Sequence, residues 1–313
     1  MKNKIKILLL FISITISVQA QQDPQFTHYM YNMSVINPAY TTGNFGVVNT
    51  GILHRSQWVG LTGAPKTSSL FLHSALTNKV EIGLSVLNDN LGDVVKQNNI
   101  FGDFAYKLDL EKNGQLSFGL KAGVTFYDVD FNGFALESGD ISTDPNFTNS
   151  VHKSYLNMGA GVYYNTDNYY IGLSIPNMLP SKHLEENNGQ YQGKENSHIF
   201  LTGGYVYELN DLFKIKPAFM AKYVKGAPVS LDLTANVLYD DKFEFGIGYR
   251  LEDAFSAMFN IRATPEFRIG YAYDHNVSNL GPFNSGSHEI IVLYDLDVLS
   301  LMKKGFDKSP RFF

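Results

Sequence analysis

A chain of 313 residues that is 44% hydrophobic and 14% aromatic, with 27 glycines, is long enough to form one sizeable β-rich domain. It has no cysteine, which excludes a disulfide framework, a zinc knuckle and a thiol nucleophile. The formal net charge is −5, and with the three lysines at the start set aside 22 basic residues face 30 acidic ones, a net of −8. That balance argues against a nucleic-acid partner, which requires a basic face.

Residues 1–20 carry Lys2, Lys4 and Lys6, then an apolar run from Ile7 to Val18, then Val18-Gln19-Ala20. This order of basic, apolar and small residues predicts a secretory signal peptide cleaved after Ala20. The apolar run falls short of the roughly 20 residues that a spanning helix needs. A protein that leaves the cytoplasm without a spanning helix is periplasmic, secreted or an outer-membrane barrel, and the strand pattern must decide between them.

Strict alternation recurs along the rest of the chain. Leu116, Phe118, Leu120, Ala122, Val124 and Phe126 share one face, with Ser117, Gly119, Lys121, Gly123 and Thr125 on the other. Leu231, Leu233, Ala235 and Val237 oppose Asp232, Thr234 and Asn236. Phe243, Phe245, Ile247 and Tyr249 oppose Glu244, Gly246, Gly248 and Arg250. Phe255, Ala257 and Phe259 oppose Ser256, Met258 and Asn260, and Phe267, Ile269, Tyr271 and Tyr273 oppose Arg268, Gly270, Ala272 and Asp274. A period of two sustained over about ten residues is the signature of a strand long enough to cross a membrane at a tilt. The pattern predicts about fourteen strands: 45–54, 66–75, 79–88, 97–109, 115–128, 154–165, 168–175, 198–208, 212–224, 228–239, 242–251, 254–262, 265–275 and 287–297.

Alternation alone does not separate a soluble sandwich from a barrel, because both have one apolar face. Connection lengths do. All the long connections, 55–65, 89–96, 129–153, 176–197 and 276–286, follow odd strands, and every connection after an even strand is tight. A transmembrane barrel has short periplasmic turns and long external loops, whereas a sandwich has no reason to gather its long loops at one end. Tyrosines near strand ends (Tyr163, Tyr164, Tyr169, Tyr170, Tyr205, Tyr207, Tyr249, Tyr271 and Tyr273) fit interfacial girdles. The reading is all-β: a transmembrane antiparallel barrel over 44–298, preceded by a signal peptide (1–20) and a periplasmic segment (21–43), and followed by a tail (299–313).

Two segments carry candidate sites. Gln22–Tyr40 holds Asp23-Pro24 and Asn37-Pro38, which set turns, around Gln25, Phe26, Tyr29 and Met30; it reads as a plug or lid at the barrel mouth, or as a docking strand for a partner. The first long loop places the sole Trp, Trp58, beside Gln57, Gly60, Ala64 and Pro65. It reads either as an interfacial anchor or as a packed external loop that contacts a partner. Asn88-Asp89-Asn90 resembles a calcium loop in passing, but it lacks the alternating ligands and closing Glu of one and reads as a strand connection. No H-E-x-x-H or G-x-S-x-G pattern occurs, so no catalytic residue, metal or cofactor is expected. Lys121, Glu244, Arg250, Arg262, Arg268 and Asp274 fall on the polar faces of their strands and are expected to pair within a lumen or to tune a pore.

The segment QDPQFTHYMYN…INPAY resembles the start of PorP/SprF proteins, outer-membrane components of type IX secretion in Bacteroidota. RSQWVGLTGAPKT (Arg55–Thr67), GLSVLNDNLG (Gly83–Gly92), VKGAPVSLDLTANVLYDDKFEFGIGYR (Val224–Arg250), RIGYAYDHNVSNLGPFNSGSHEI (Arg268–Ile290) and the closing SPRFF extend the resemblance over essentially the whole mature chain. It implies an outer-membrane barrel whose partners are the lipid bilayer, the type IX machinery and the C-terminal domain of a secreted adhesin, with a role in secretion, gliding or surface anchoring and no enzymatic activity. A porin-like diffusion channel is the alternative, and a membrane-embedded hydrolase a third and weaker reading.

Overall fold

The computed structural model describes residues 24–42, 45–92, 94–110, 114–130, 150–179, 182–185, 191–194 and 196–297. The proposed signal peptide, Asp23 and the tail lie outside the described residues. The wall is built from β1 (Val47–Ser56), β2 (Lys66–Ala75), β3 (Val80–Leu91), β4 (Val95–Asp109), β5 (Gln115–Val129), β6 (Val151–Asn165) and β7 (Tyr169–Ile175). It continues through β8 (His198–Tyr205), β9 (Phe213–Val224), β10 (Ser230–Tyr239), β11 (Phe243–Arg250), β12 (Ala254–Arg262), β13 (Phe267–Asn276) and β14 (Ser287–Asp297). A further strand, Tyr207–Glu208, pairs with β9 in the register already set by β8 and prolongs that stave. A separate hairpin, Lys182–Glu185 with Tyr191–Lys194, lies in the connection after β7.

Each stave pairs antiparallel with its neighbours in sequence, and β1 pairs with β14 from Val47↔Asp297 to Ser56↔His288. The sheet therefore closes on itself as a 14-stave barrel with no edge at the seam. Closure is what hydrocarbon demands of strands, because a backbone N–H or C=O left unpaired in lipid costs several kcal/mol.

The two faces are those of an inside-out protein. Outward side chains are large, apolar and exposed: Leu120 at 64%, Ile247 at 68%, with Ile52, Phe245, Phe255 and Leu173 alongside. Inward side chains include the buried Arg55, Lys216, Asn236, Glu244 and Glu289. An apolar band this continuous has no place on a water-soluble monomer and matches the lipid belt of a membrane barrel.

The strand boundaries depart from the sequence pattern in a few places. β1 starts later and runs to Ser56. β3 and β4 extend until only residues 92–94 connect them, so Asn88-Asp89-Asn90 is ladder rather than loop. The Asn88 amide donates to Asn98 across the pair (2.6 Å), and inward Asp89 accepts from Thr67 (2.6 Å). Of the tyrosines assigned to girdles, Tyr163 and Tyr170 instead point into the lumen and are buried, while Tyr169, Tyr205 and Tyr207 are exposed at the short-turn end and Tyr271 is exposed midway along β13.

Ile247→Arg, which places a charge on the lipid face, is expected to destabilise the barrel by about 2–4 kcal/mol. Urea unfolding in lipid vesicles measures this, and unchanged stability would mean that this face does not look into hydrocarbon.

Candidate functional site

Residues 24–42 occupy the lumen. The stretch read as a periplasmic segment lies, over these residues, inside the wall. Phe26, Tyr29, Met30, Met33 and Ile36 are buried there in one cluster with Leu53, Met220, Leu238, Met258 and Ile291 of the wall. A short 3-10 turn, Tyr29–Tyr31, leads into one turn of helix, Met33–Ile36.

The segment runs from one end of the barrel to the other. At the long-loop end the Thr27 hydroxyl donates to Asp274 (2.8 Å), and the Thr27 and His28 amides donate to the two oxygens of Glu289 (2.9 and 2.7 Å). At the short-turn end the Thr42 amide donates to Glu81 (3.0 Å) and Thr41 shares a hydrogen bond with Ser117 (3.1 Å).

The upper attachment is ionic. Arg55 on β1 bonds Asp274 (2.6 Å) and Glu289 (3.3 Å) and donates to the Thr27 hydroxyl (3.0 Å). Arg250 pairs with Asp232 (2.7 Å) and approaches Asp274 (3.8 Å). His28 spans Glu289 (2.8 Å) and Asn260 (2.9 Å), and the Asn260 amide donates to Glu244 (2.9 Å), which also accepts from Tyr31 and Asn236. Alternating acceptors and donors thus run from β1 through the plug to β10, and the buried charges find partners, as a low-dielectric interior requires.

The lower attachment is steric. Asn37 donates to the Val162 carbonyl (3.1 Å) and accepts from the Ala39 amide (2.9 Å), forming the turn that Asn-Pro favours. The wall makes room with glycine. A Cβ on Gly119 would lie 2.2 Å from the Ala39 nitrogen, and one on Gly161 would lie 2.1 Å from the Asn37 side-chain oxygen. Lys121 donates to the Val35 carbonyl (2.8 Å) at the helix end, with Asp103 at 3.6 Å. Below, Tyr40 meets the Tyr163 ring edge-on (centroids 5.4 Å apart) and Tyr163 stacks on Tyr170 (5.6 Å).

Of the residues singled out by sequence, Phe26, Tyr29, Met30, Asn37 and Pro38 are buried in the lumen, and Pro24 and Gln25 lie half-buried near its long-loop mouth. Gln57, Trp58, Gly60, Ala64 and Pro65 sit together in the β1–β2 loop at the same mouth. There the Gln57 amide bonds the Pro65 carbonyl (2.9 Å), Trp58 adopts φ 47°, and its amide donates to Ser287 (3.2 Å). Val59 exchanges backbone bonds with Gly286 and Ser285 (2.8 and 2.7 Å), strapping this loop to the β13–β14 loop. Of the lumenal charges expected to pair, Lys121, Arg250 and Asp274 do so as described and Arg268 bonds Asp295 (2.9 Å), whereas Arg262 donates to the Pro265 carbonyl at the rim (3.1 Å). Sequence reasoning missed Arg55, Glu289, Thr27 and His28, the centre of the ionic attachment. Among the described residues no cluster of side chains is set to hold a metal ion.

A closed barrel with an apolar belt, long loops at one end and a lumen filled by its own N-terminal segment defines a membrane β-barrel of the outer-membrane type. The family model described as type IX secretion system membrane protein PorP/SprF matches residues 18–294, and the chain belongs to that family. No curated protein matches it by sequence. Among solved structures it is similar to the Ralstonia pickettii toluene transporter TbuX, at 9% identity and a TM-score of 0.51 over 84% of this chain and 92% of that one. The Pseudomonas putida toluene transporter TodX aligns at 10% identity and a TM-score of 0.48, over 85% of this chain and 93% of that one. At such identities the likeness to TbuX is one of fold.

Arg55→Ala leaves two buried carboxylates, Asp274 and Glu289, without their shared cation, and is expected to cost about 3–5 kcal/mol. Adding Glu289→Gln is expected to recover part of that loss. Denaturant midpoints of the single and double variants measure both, and additive losses would show that the two residues do not interact.

Proposed function

We propose that this protein is a non-enzymatic outer-membrane component of type IX secretion and gliding that holds the C-terminal domain of a secreted adhesin at the cell surface. Membership of the PorP/SprF family carries the reading. The filled lumen supports it, since a barrel that serves as an anchor has no need of an open path. On this reading the long-loop end faces outward, and the strapped β1–β2 loop with Gln57, Trp58, Gly60, Ala64 and Pro65 offers the partner a pre-shaped surface with one large aromatic. Residues 1–20 serve as the export signal.

Deleting the gene and staining intact cells for their surface adhesins tests the role directly. Loss of one adhesin from the surface is expected, and unaltered display would count against anchoring. Trp58→Ala is expected to weaken capture of that adhesin's C-terminal domain by about 2 kcal/mol, roughly 30-fold, with the folded barrel still heat-modifiable on gels. An undiminished affinity would remove this loop from the interface.

A diffusion channel is the second reading. It has in its favour the fold-level likeness to a toluene transporter and a cavity of about 60 Å³ beside the plug, lined by Phe26, Leu87, Phe101, Phe200 and Met220. Planar-bilayer recording separates the two: the anchor reading expects no steady conductance from the intact chain and a large one after removal of residues 24–42, whereas a channel conducts with the segment in place.

A further inference from the structure

The margin of the apolar belt at the long-loop end changes character around the barrel. On β11–β14 it is aromatic: the Tyr249 and Phe255 rings lie 4.7 Å apart, and Tyr271 and Tyr273 pack against His288 (6.1 and 5.2 Å). On β2–β4 it is polar. The registers there align three outward rows, each one step further from the middle of the belt. Leu70, Val86 and Ile100 form the last apolar row, Ser68, Asn88 and Asn98 the next, and Lys66, Asn90 and Lys96 the one beyond.

The middle row is a fixed platform. The Asn88 amide donates to Asn98 (2.6 Å), and the Ser68 hydroxyl shares a hydrogen bond with the His54 ring (2.9 Å). Both lysines of the row beyond are exposed, and neither has a side-chain hydrogen bond or ion pair to another residue. The carboxylate opposite Lys96 in the register, Asp128, is held by His152 (2.7 Å). Lys66 and Lys96 flank Asn90, so their Cα atoms stand two strand spacings apart, roughly 10 Å. Two four-carbon stems span that distance and let both ammonium groups meet over Asn90. Deeper in the belt, Gly102 lies beside Ala122, framed by Leu84, Phe104, Leu120 and Met158. A Cβ on Gly102 would meet nothing nearer than the Ala122 carbonyl oxygen at 3.9 Å, so the lipid face is indented there.

We infer that Lys66 and Lys96 form a binding site for the phosphate headgroup of a membrane lipid, with its acyl chain laid over Leu70, Val86 and Ile100 toward the indentation at Gly102. A lysine at the edge of an apolar belt carries its charge out to the headgroup level while its stem covers apolar surface, and an ammonium there attracts anionic lipid. Two such cations without an internal counter-ion, on either side of one amide, converge on a single phosphate. The apolar rows continuous with the lysines favour a lipid over a free anion or an acidic peptide, neither of which has a tail to lay there. The inference requires only that the barrel sits in a membrane, and it holds whichever polypeptide the barrel serves.

Native mass spectrometry of the full chain folded in a neutral detergent decides it, with dioleoyl phosphatidic acid, dioleoylglycerol and inorganic phosphate as probes. Phosphatidic acid is expected to bind about tenfold or more tightly than dioleoylglycerol, which differs only by the phosphate. Lys66→Gln with Lys96→Gln is expected to abolish that preference, each single variant to lower it, and Lys66→Arg with Lys96→Arg to keep it. Lys79→Gln with Lys225→Gln makes the same change of charge at exposed lysines elsewhere and is expected to leave the preference intact. Heat-modifiability on gels checks that every variant folds. Equal binding of the two lipids overturns the inference, as does a preference that survives both glutamine substitutions or falls equally in the Lys79 and Lys225 variant. Displacement of phosphatidic acid by an equal concentration of inorganic phosphate means that the site takes the free anion, and overturns it too.

Discussion

The seam between β1 and β14 is the constraint on which the rest of the molecule depends. In hydrocarbon a main-chain polar group has no water to fall back on, so a strand is admissible only if both its edges are bonded. Joining the first stave to the last meets that condition along Val47–Ser56 and Asp297–His288. Once the ring is closed, each strand has one face toward lipid and one toward an enclosed space. Apolar bulk on the first and polar groups on the second follow from that division alone.

The enclosed space creates a second demand. Carboxylates and guanidinium groups aimed into a narrow interior must find partners or lose their charge. Here the wall and the N-terminal segment meet the demand jointly: Arg55 lies between Asp274 and Glu289 and all three bond to Thr27, while His28 and Tyr31 bring the segment's own donors to Glu289 and Glu244. The plug is therefore part of the polar interior of the barrel, fastened by charge at the long-loop end and by glycine-lined fit at the short-turn end. The β1–β2 and β13–β14 loops stand on this same framework, since Arg55 is two residues from Gln57 and Glu289 two from Ser287.

How much of this could be read from sequence varied with what each inward face touches. Phe243–Arg250 and Phe267–Asp274 alternate cleanly because their inward positions are glycine, alanine or charge, and their barrel character was legible. β1 and β14 alternate poorly because Leu53, Ile291 and Leu293 face inward against the apolar side of the plug. The same contact hid Arg55 and Glu289, which stand in strands with apolar residues on both faces. Tyr163 and Tyr170 misled for a related reason: an aromatic near a strand end serves a girdle or a plug equally well, and only the strand's parity tells which. The bond between Thr27 and Asp274 joins positions 247 residues apart, a proximity that closure creates and no local pattern encodes.

The course of the plug also dictates an order of events. Thr42 and the first residue of β1 are at the same end of the barrel, so the chain descends through the middle and turns back up as the first stave. A ring sealed beforehand would have to be threaded by a segment bearing Phe26, Tyr29, Tyr31 and Tyr40, past side chains that leave little passage. Enclosure while the last seam is still open avoids that path. The N-terminal segment is then a mandrel around which the sheet curls, and biogenesis must deliver it to the interior before β14 finds β1.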